Sequence, residues 1–471
     1  MEYAREYCDS IDGYSFTPKT IVVTAMSGVA ATLLMGETTH SAIYLNQKRQ
    51  LDAEQIEIWS ETRLVIIDEV SFAGKRDFQH MNKNLSLLKG KRTMRYGELS
   101  IIFSGDFRQL EPVGNGQKPV YDEDCPEFKD WVNCYIELKG MYRFRDDPQW
   151  GKILCAMRDG TITVPDIKKI NERVITRNTI LPDDIRYATY YNRDRDSINA
   201  ALFEQRCITS QRCLNHTKDS ILVFSDGLQI KDGSGVYVPF KNRRSFWEGC
   251  GEDNIKTARG KGRVDPVLKI YKECRVMLPC NKDVSTGQAN GTQATVQQVV
   301  LKPGVQPSQV KLTDGTPVAA VTASQVECIE LAHCNDRISP RTFSIQPQKY
   351  NFNARLLKPR DLQLRSDDRE QVEMKAVQLP LLVNNATTGH KLQGNSVDSL
   401  FVHTWQYVTN WPYVVLSRVR TRDGLYLRQP LSEDVRKYAV PGSLRRMLQH
   451  FEKHQPTYWS EDDYDDIFDM S

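Results

Sequence analysis

The chain has 471 residues, 40% of them hydrophobic and 26% charged, with 63 Lys+Arg against 60 Asp+Glu and a formal charge of +3. That length suggests two or three domains, and that composition a soluble globular class. A net charge so near zero does not by itself predict a nucleic-acid partner, no apolar run reaches the ~18 residues of a membrane span, and the polar, acidic first ten residues are no signal peptide.

In chain order, residues 1–10 read as the end of a helix and 15–19 as a turn containing Pro18. The run 20–24 (TIVVT) is apolar and β-branched, as buried parallel strands are. The run 63–67 (RLVII) is a second, ending in Asp68-Glu69. The run 99–103 (LSIIF) is a third, ending in Ser104-Gly105-Asp106. Helical stretches such as 77–88 lie between them, and this alternation predicts a parallel α/β sheet with its site at the carboxyl ends of the strands. A second region begins near Met141, with a strand over 186–191. From about 207 to 380, short apolar runs and turn residues predict an inserted β-rich module, with a hairpin signal at Ala289-Asn290-Gly291-Thr292. The α/β pattern then returns: 386–392 reads as a helix or a strand-to-helix turn, and 399–403 and 413–416 are apolar runs.

Eleven cysteines form no CxxC pair. The five-residue gaps in Cys207/Cys213, Cys274/Cys280 and Cys328/Cys334 do not suit zinc, so reduced intracellular thiols are expected. Residues 460–471 hold six acids and no Lys or Arg. Removing six negative charges from a total of +3 leaves +9 on the rest, and the tail itself reads as a solvated terminus.

Several segments carry chemistry. An apolar strand ending in Asp68-Glu69 suits a metal-holding carboxylate followed by a general base toward water. In 103–113 (FSGDFRQLEPV), Gly105 allows a tight turn, and Gln109 both donates and accepts. The small residues of 24–31 (TAMSGVAA), with 38–41 (TTHS), suit close backbone approach and phosphate contact. In 386–394 (ATTGHKLQG), Lys391 offers a point charge. In 413–420 (YVVLSRVR), Arg418 follows an apolar run, where a guanidinium suits a γ-phosphate.

In this order, TAxSGVAA, DEVS, GDFRQLxPV, MYRF, HKLQG and YVVLSRV resemble the motifs of the Pif helicases, a superfamily-one branch related to RecD, over about residues 24–422. Asn290-Gly291-Thr292 also looks like the family's NGT stretch. The resemblance implies an α/β fold of two RecA-like parallel-sheet motor domains with an inserted β-rich, SH3-like module. It implies a first domain over 1–140, a second over 141–206 and 381–430, the module over 207–380, and a C-terminal extension over 431–471. It further implies an ATP-dependent, 5′-to-3′ DNA helicase that uses ATP and Mg²⁺ and acts on single-stranded DNA and on forks or duplexes. Such an enzyme would be a monomer without a membrane anchor, in the nucleus or mitochondrion, serving replication, repair, recombination or telomere maintenance.

By the same resemblance, Asp68 would hold Mg²⁺ and Glu69 would activate water. Gln109 would sense the γ-phosphate, Arg143 and Arg418 would be arginine fingers, and Gly394 would line the nucleotide site. Thr24, Ser27, Gly28 and His40 would follow DNA in the first motor domain. Thr388, His390, Lys391 and Gln393 would follow it in the second. Two departures stand out. Glu111 replaces a frequent proline, and no GxxxxGK[ST] phosphate loop is present. The expectation is that this loop lies just upstream of Met1. The alternatives are a non-hydrolysing nucleic-acid-binding remnant, or the helicase part of a mobile element.

Overall fold

The computed structural model describes residues 16–45, 51–112, 117–138, 140–212, 220–241, 265–335, 340–356, 370–393, 396–408 and 410–454, with isolated positions between them. Most of residues 1–10, Val113, Cys213, Gly394 and the acidic tail fall outside the described residues. Strands β1 (Ile21–Ala25), β2 (Glu37–Thr38), β3 (Leu64–Asp68) and β4 (Ser100–Phe103) form a wholly parallel sheet in the order β2-β1-β3-β4. The register pairs Ala25 with Asp68 and Ile67 with Phe103, so the three longer strands end together. Helix Lys75–Leu88 turns Phe78, Met81, Leu85 and Leu88 onto this core at helical spacing. Among the described strands β4 is paired on its β3 side alone, and Ile102 is 49% exposed there. The outer side of β4 presents unpaired backbone N–H and C=O groups of the kind that can accept a further strand.

The second parallel sheet comprises β5 (Arg186–Thr189), β6 (Ala386–Thr388), β7 (Leu400–Val402) and β8 (Leu425–Leu427), in the order β6-β5-β7-β8. Its core includes Trp150, Leu154, Ile167, Val402, Trp411 and Val415. The apolar run at 413–416 is helical, within Trp411–Leu416, and Pro412 sits in its first turn, where a missing N–H costs nothing.

Strands from Ser220 to Val383 make three further sheets, mostly antiparallel. The boundary expected at 206/207 falls inside helix Asn192–Arg212. That helix runs on because Phe203 and Cys207 pack with Leu222, Val318 and Ala320 of the β-rich region. The return, expected at 381, comes at β6, because Leu382–Val383 still pairs with Arg275–Met277. Buried Asn199 clamps the re-entry point. Its Oδ1 accepts from Ala386 N (2.8 Å), and its Nδ2 donates to the Val383 and Ala386 carbonyls (3.2 Å each). The hairpin expected at Asn290-Gly291 is also corrected. Arg275–Met277 and Gln293–Leu301 are antiparallel partners, but residues 278–292 connect them, and the Asn-Gly turn closes only the end of that connection. Gly291 (φ +92°) supplies its left-handed position.

The C-terminal extension is not an appendage. Leu431 and Tyr438 belong to the second core, whereas Leu444, Met447 and Phe451 of helix Gly442–Glu452 belong to the first. Phe451 stacks on Tyr135, with ring centroids 5.5 Å apart. The chain therefore ties the two parallel-sheet cores together a second time.

Candidate nucleotide and nucleic-acid sites

β3 ends at Asp68, and Glu69 turns the chain sharply at φ +54°, ψ +41°. A non-glycine residue in the left-handed region is uncommon and marks a constrained corner. The corner is held by Val70 N donating to Ser104 O (2.9 Å). Gly105 (φ +155°) lies against it so closely that a Cβ would stand 2.9 Å from Val70 N. Gly105→Ala is accordingly expected to lower stability by roughly 2 kcal/mol, read as a lower unfolding midpoint in urea.

The loop after β4 bridges the two cores: Phe107 packs on the first and Leu110 lies in the second. This suspends Asp106 and Gln109 between them. Gln109 Nε2 donates to Asp106 Oδ2 (3.4 Å), its backbone oxygen accepts from Asn410 Nδ2 (3.2 Å), and its Oε1 is buried with no partner. Glu111, the departure from the family pattern, accepts from Tyr121 Oη at 2.8 Å. From the second core, Arg143 Nη1 donates to Ser417 O (3.2 Å). Arg418 is 1% exposed; its Nε donates to Val414 O (2.8 Å) and its Nη2 to Ser417 Oγ (2.7 Å).

These groups act on one another. Burial, then Asp68, push the Glu69 carboxyl up to about 7; Arg418 pulls it down, Asp106 adds to the rise, and Arg143 opposes it. Burial, then Arg143, bring Arg418 down to about 10, with Tyr413, Glu69 and Asp106 opposing, so it stays cationic at neutral pH. The structure thus brings Asp68, Glu69, Gln109, Arg143 and Arg418 into one cleft. Asp106 and Tyr413 belong there too. Both stand inside motifs read from the sequence, but only the folded geometry couples them to Glu69 and Arg418.

Glu69 Oε2, like Gln109 Oε1, is buried without a partner. Among the described residues no cluster of three or more His, Cys, Asp or Glu could hold a metal by itself. One orphaned carboxylate oxygen, with the Asp68 carboxylate beside it, fits at most a Mg²⁺ that brings its own phosphate and water ligands, and does not fit an all-protein cage.

The residues expected along DNA separate into two groups. Thr24 is fully buried: its hydroxyl donates to Ile66 O (3.0 Å) and accepts from Thr39 Oγ1 (3.1 Å), so the side chain ties β1 to its neighbours. Gly28 is also buried. A Cβ there would meet Ala289 Cβ at 2.9 Å, Asn281 Oδ1 at 3.0 Å and Asn290 O at 3.1 Å, so its role is close packing against the β-rich region. Ser27 caps helix Gly28–Leu33 by accepting from Ala30 N at 3.2 Å. His40 is half-exposed, 4.0 Å from Asp77. In the second core, Thr388 and His390 are half-buried, Gln393 is buried and Lys391 is exposed. Burial, then Lys391, hold the His390 imidazole below its ordinary value. Lys391 Nζ donates to Asn290 Oδ1 (3.4 Å). The Asn290 turn therefore stands between the two halves of the expected path. Gly394 lies outside the described residues.

Residues 11–166 match the family described as PIF1-like helicase. The ATP-dependent DNA helicase PIF1 of Xenopus laevis is 23% identical over 423 residues, covering 87% of this chain and 54% of the relative. The ATP-dependent DNA helicase PIF7 of Trypanosoma brucei brucei is 24% identical over 431 residues, covering 85% and 40%. Bacteroides Pif1 bound to single-stranded DNA has the same fold, with a TM-score of 0.60 and 18% identity over 96% of this chain and 90% of that one. Candida albicans Pif1 gives 0.59 and 19% over 96% and 91%. The chain spans about half the length of the curated relatives it matches, from 40% to 54% of the first four.

Proposed function

We propose that this chain, a relative of the PIF1-like helicases, is the motor of an ATP-dependent DNA helicase that moves 5′ to 3′ on single-stranded DNA and opens duplexes or forks. One observation carries the reading. Glu69, Gln109, Arg143 and Arg418, from four separate elements, meet in the cleft between two parallel-sheet cores. That cleft opens and closes only if the cores move, which is how hydrolysis would be coupled to stepping.

Glu69, with its carboxyl near 7, is tuned to take a proton from attacking water. The Gln109 amide would orient that water and the γ-phosphate, using the oxygen that has no partner in the protein. Arg143 and Arg418 would meet the charge that grows on the transferred phosphoryl group. Asp68 would hold Mg²⁺, which when bound neutralises phosphate charge. Ser27, His40, Thr388, His390, Lys391 and Gln393 would line the strand, with binding that weakens steeply with salt.

The reading also requires a phosphate-cradling loop, which the described residues lack. The free edge of β4 is where a parallel strand leading into such a loop would add, its carboxyl end beside Glu69 and Gln109. The second reading, a nucleic-acid-binding remnant without hydrolysis, draws on the same free edge. No described helix is long and apolar enough to cross a membrane, and a DNA-processing role fits nucleus or mitochondrion. The test is DNA-stimulated ATP hydrolysis by this chain and by a version carrying an added strand–phosphate-loop–helix segment. Hydrolysis by the extended protein alone supports the helicase. Single-strand binding without hydrolysis in both supports the remnant.

A further inference from the structure

The seam between the β-rich region and the second parallel sheet carries an unbalanced charge. Arg186, the first residue of β5, is 2% exposed. Its Nη1 donates to Gln293 Oε1 at 2.9 Å, but its Nε and Nη2 are buried with no acceptor. The charged groups acting on it are the Arg275 guanidinium, which repels it, and the Cys334 sulfur. Burying a guanidinium with donors unmet and no counter-charge is costly.

Strand register places an accessible thiol on this seam. Arg275 pairs with Thr295, and Ala294 with His333. Cys334 N donates to Gln293 O at 3.0 Å, which makes Cys334 the cross-strand neighbour of Gln293. Directly opposed residues and residues two apart along a strand share a face. Arg275, Gln293 and Cys334 therefore point to one side of the sheet, the side that Arg186 enters to reach Gln293. Cys334 is solvent-exposed.

We propose that Cys334 is a peroxide-responsive modification site whose oxidised sulfur supplies the anion that buried Arg186 lacks. The oxidant is a hydroperoxide. The thiol and H₂O₂ give a sulfenic acid and water: the peroxide O–O bond breaks, one oxygen joins sulfur, and sulfur is oxidised by two electrons while the peroxide is reduced. Loss of the sulfenic proton to solvent leaves S–O⁻ facing Arg186 and Arg275. On balance, packing around the sulfur outweighs the two guanidiniums and holds the resting Cys334 thiol above its ordinary value, so its attack on peroxide is slow and the charges act on the product. The product, a stronger acid than the thiol, takes fuller advantage of those charges and is held at this rung of the oxidation ladder. Oxidation then tightens the seam, the reverse of its usual effect in a packed region.

The experiment treats the full chain with limiting H₂O₂, traps sulfenic acid with a dimedone probe, and reads the sites by mass spectrometry. Cys134, the other exposed thiol among the described residues, is the internal control. The expected result is that, once peroxide is removed, sulfenic acid can be trapped on Cys334 for roughly ten-fold longer than on Cys134. Cys334→Asp places a permanent anion at the seam and is expected to melt about 2 °C above Cys334→Asn without any oxidant. Equal lifetimes of the sulfenic acid on the two cysteines, or an Asp variant melting at or below its Asn counterpart, overturns the proposal.

Discussion

Glu69→Gln is expected to leave the protein more stable than the wild type above pH 7 and equally stable near pH 4, while hydrolysis in a version completed with a phosphate loop falls by about 10²–10⁴-fold. The stability half follows from the raised carboxyl. In the fold Glu69 titrates at about 7 against an ordinary 4.5, chiefly because burial and Asp68 disfavour its charge. A group that binds protons more tightly when folded contributes stability fully present below its unfolded value. That contribution is lost as pH rises through the folded one. The shift corresponds to roughly 3 kcal/mol at pH 8. Glutamine is neutral at every pH, so the variant keeps the stability that the wild type gives up. Urea unfolding at pH 4, 6 and 8 measures this directly. Parallel pH profiles for the two proteins would remove Glu69 as the titrating group.

What the sequence made legible was local. The runs at 20–24, 63–67 and 99–103 are β1, β3 and β4 within a residue or two, because β-branched runs closed by Thr24, Asp68 or Gly105 state both the strand and its end. Asp68, Glu69 and Arg418 stood out for the same reason, at a strand end or directly after an apolar run, whereas Arg143 was singled out only by the resemblance of its MYRF segment. What depended on distant packing was hidden. Thr24 sits where a small polar residue could face DNA, and only the fold turns its hydroxyl onto Ile66 and Thr39. Gly28 reads as permissive backbone, yet residues some 260 positions later, Ala289 and Asn290, fill the space beside it. An apolar run as short as 413–416 does not declare itself strand or helix by periodicity. Nor does helix Gly442–Glu452 announce that its apolar stripe belongs to the core at the other end of the chain.

Arg418→Met and Arg418→Lys separate the two things this buried guanidinium does. In the version carrying the added phosphate-loop segment the Met variant is expected to lose about 10³-fold or more in kcat, the size of effect an arginine finger carries, with a much smaller change in KM. Arg418 also lowers the Glu69 carboxyl. Removing its charge lets that carboxyl rise further, so the stability lost with rising pH becomes larger and the loss is complete only at a higher pH than in the wild type. The Lys variant keeps a positive charge but not the planar fork that binds Val414 O and Ser417 Oγ together. It is expected to hold the Glu69 titration close to that of the wild type while recovering little of the rate. Combining Glu69→Gln with Arg418→Met completes the cycle. If the two residues act through one charge balance, the Met substitution loses its pH-dependent effect on stability once Glu69 is neutral, and the double variant is no slower than the worse single one. Strict additivity in both rate and stability would place Arg418 outside the cleft's electrostatic unit and reduce it to a packing residue of helix Trp411–Leu416.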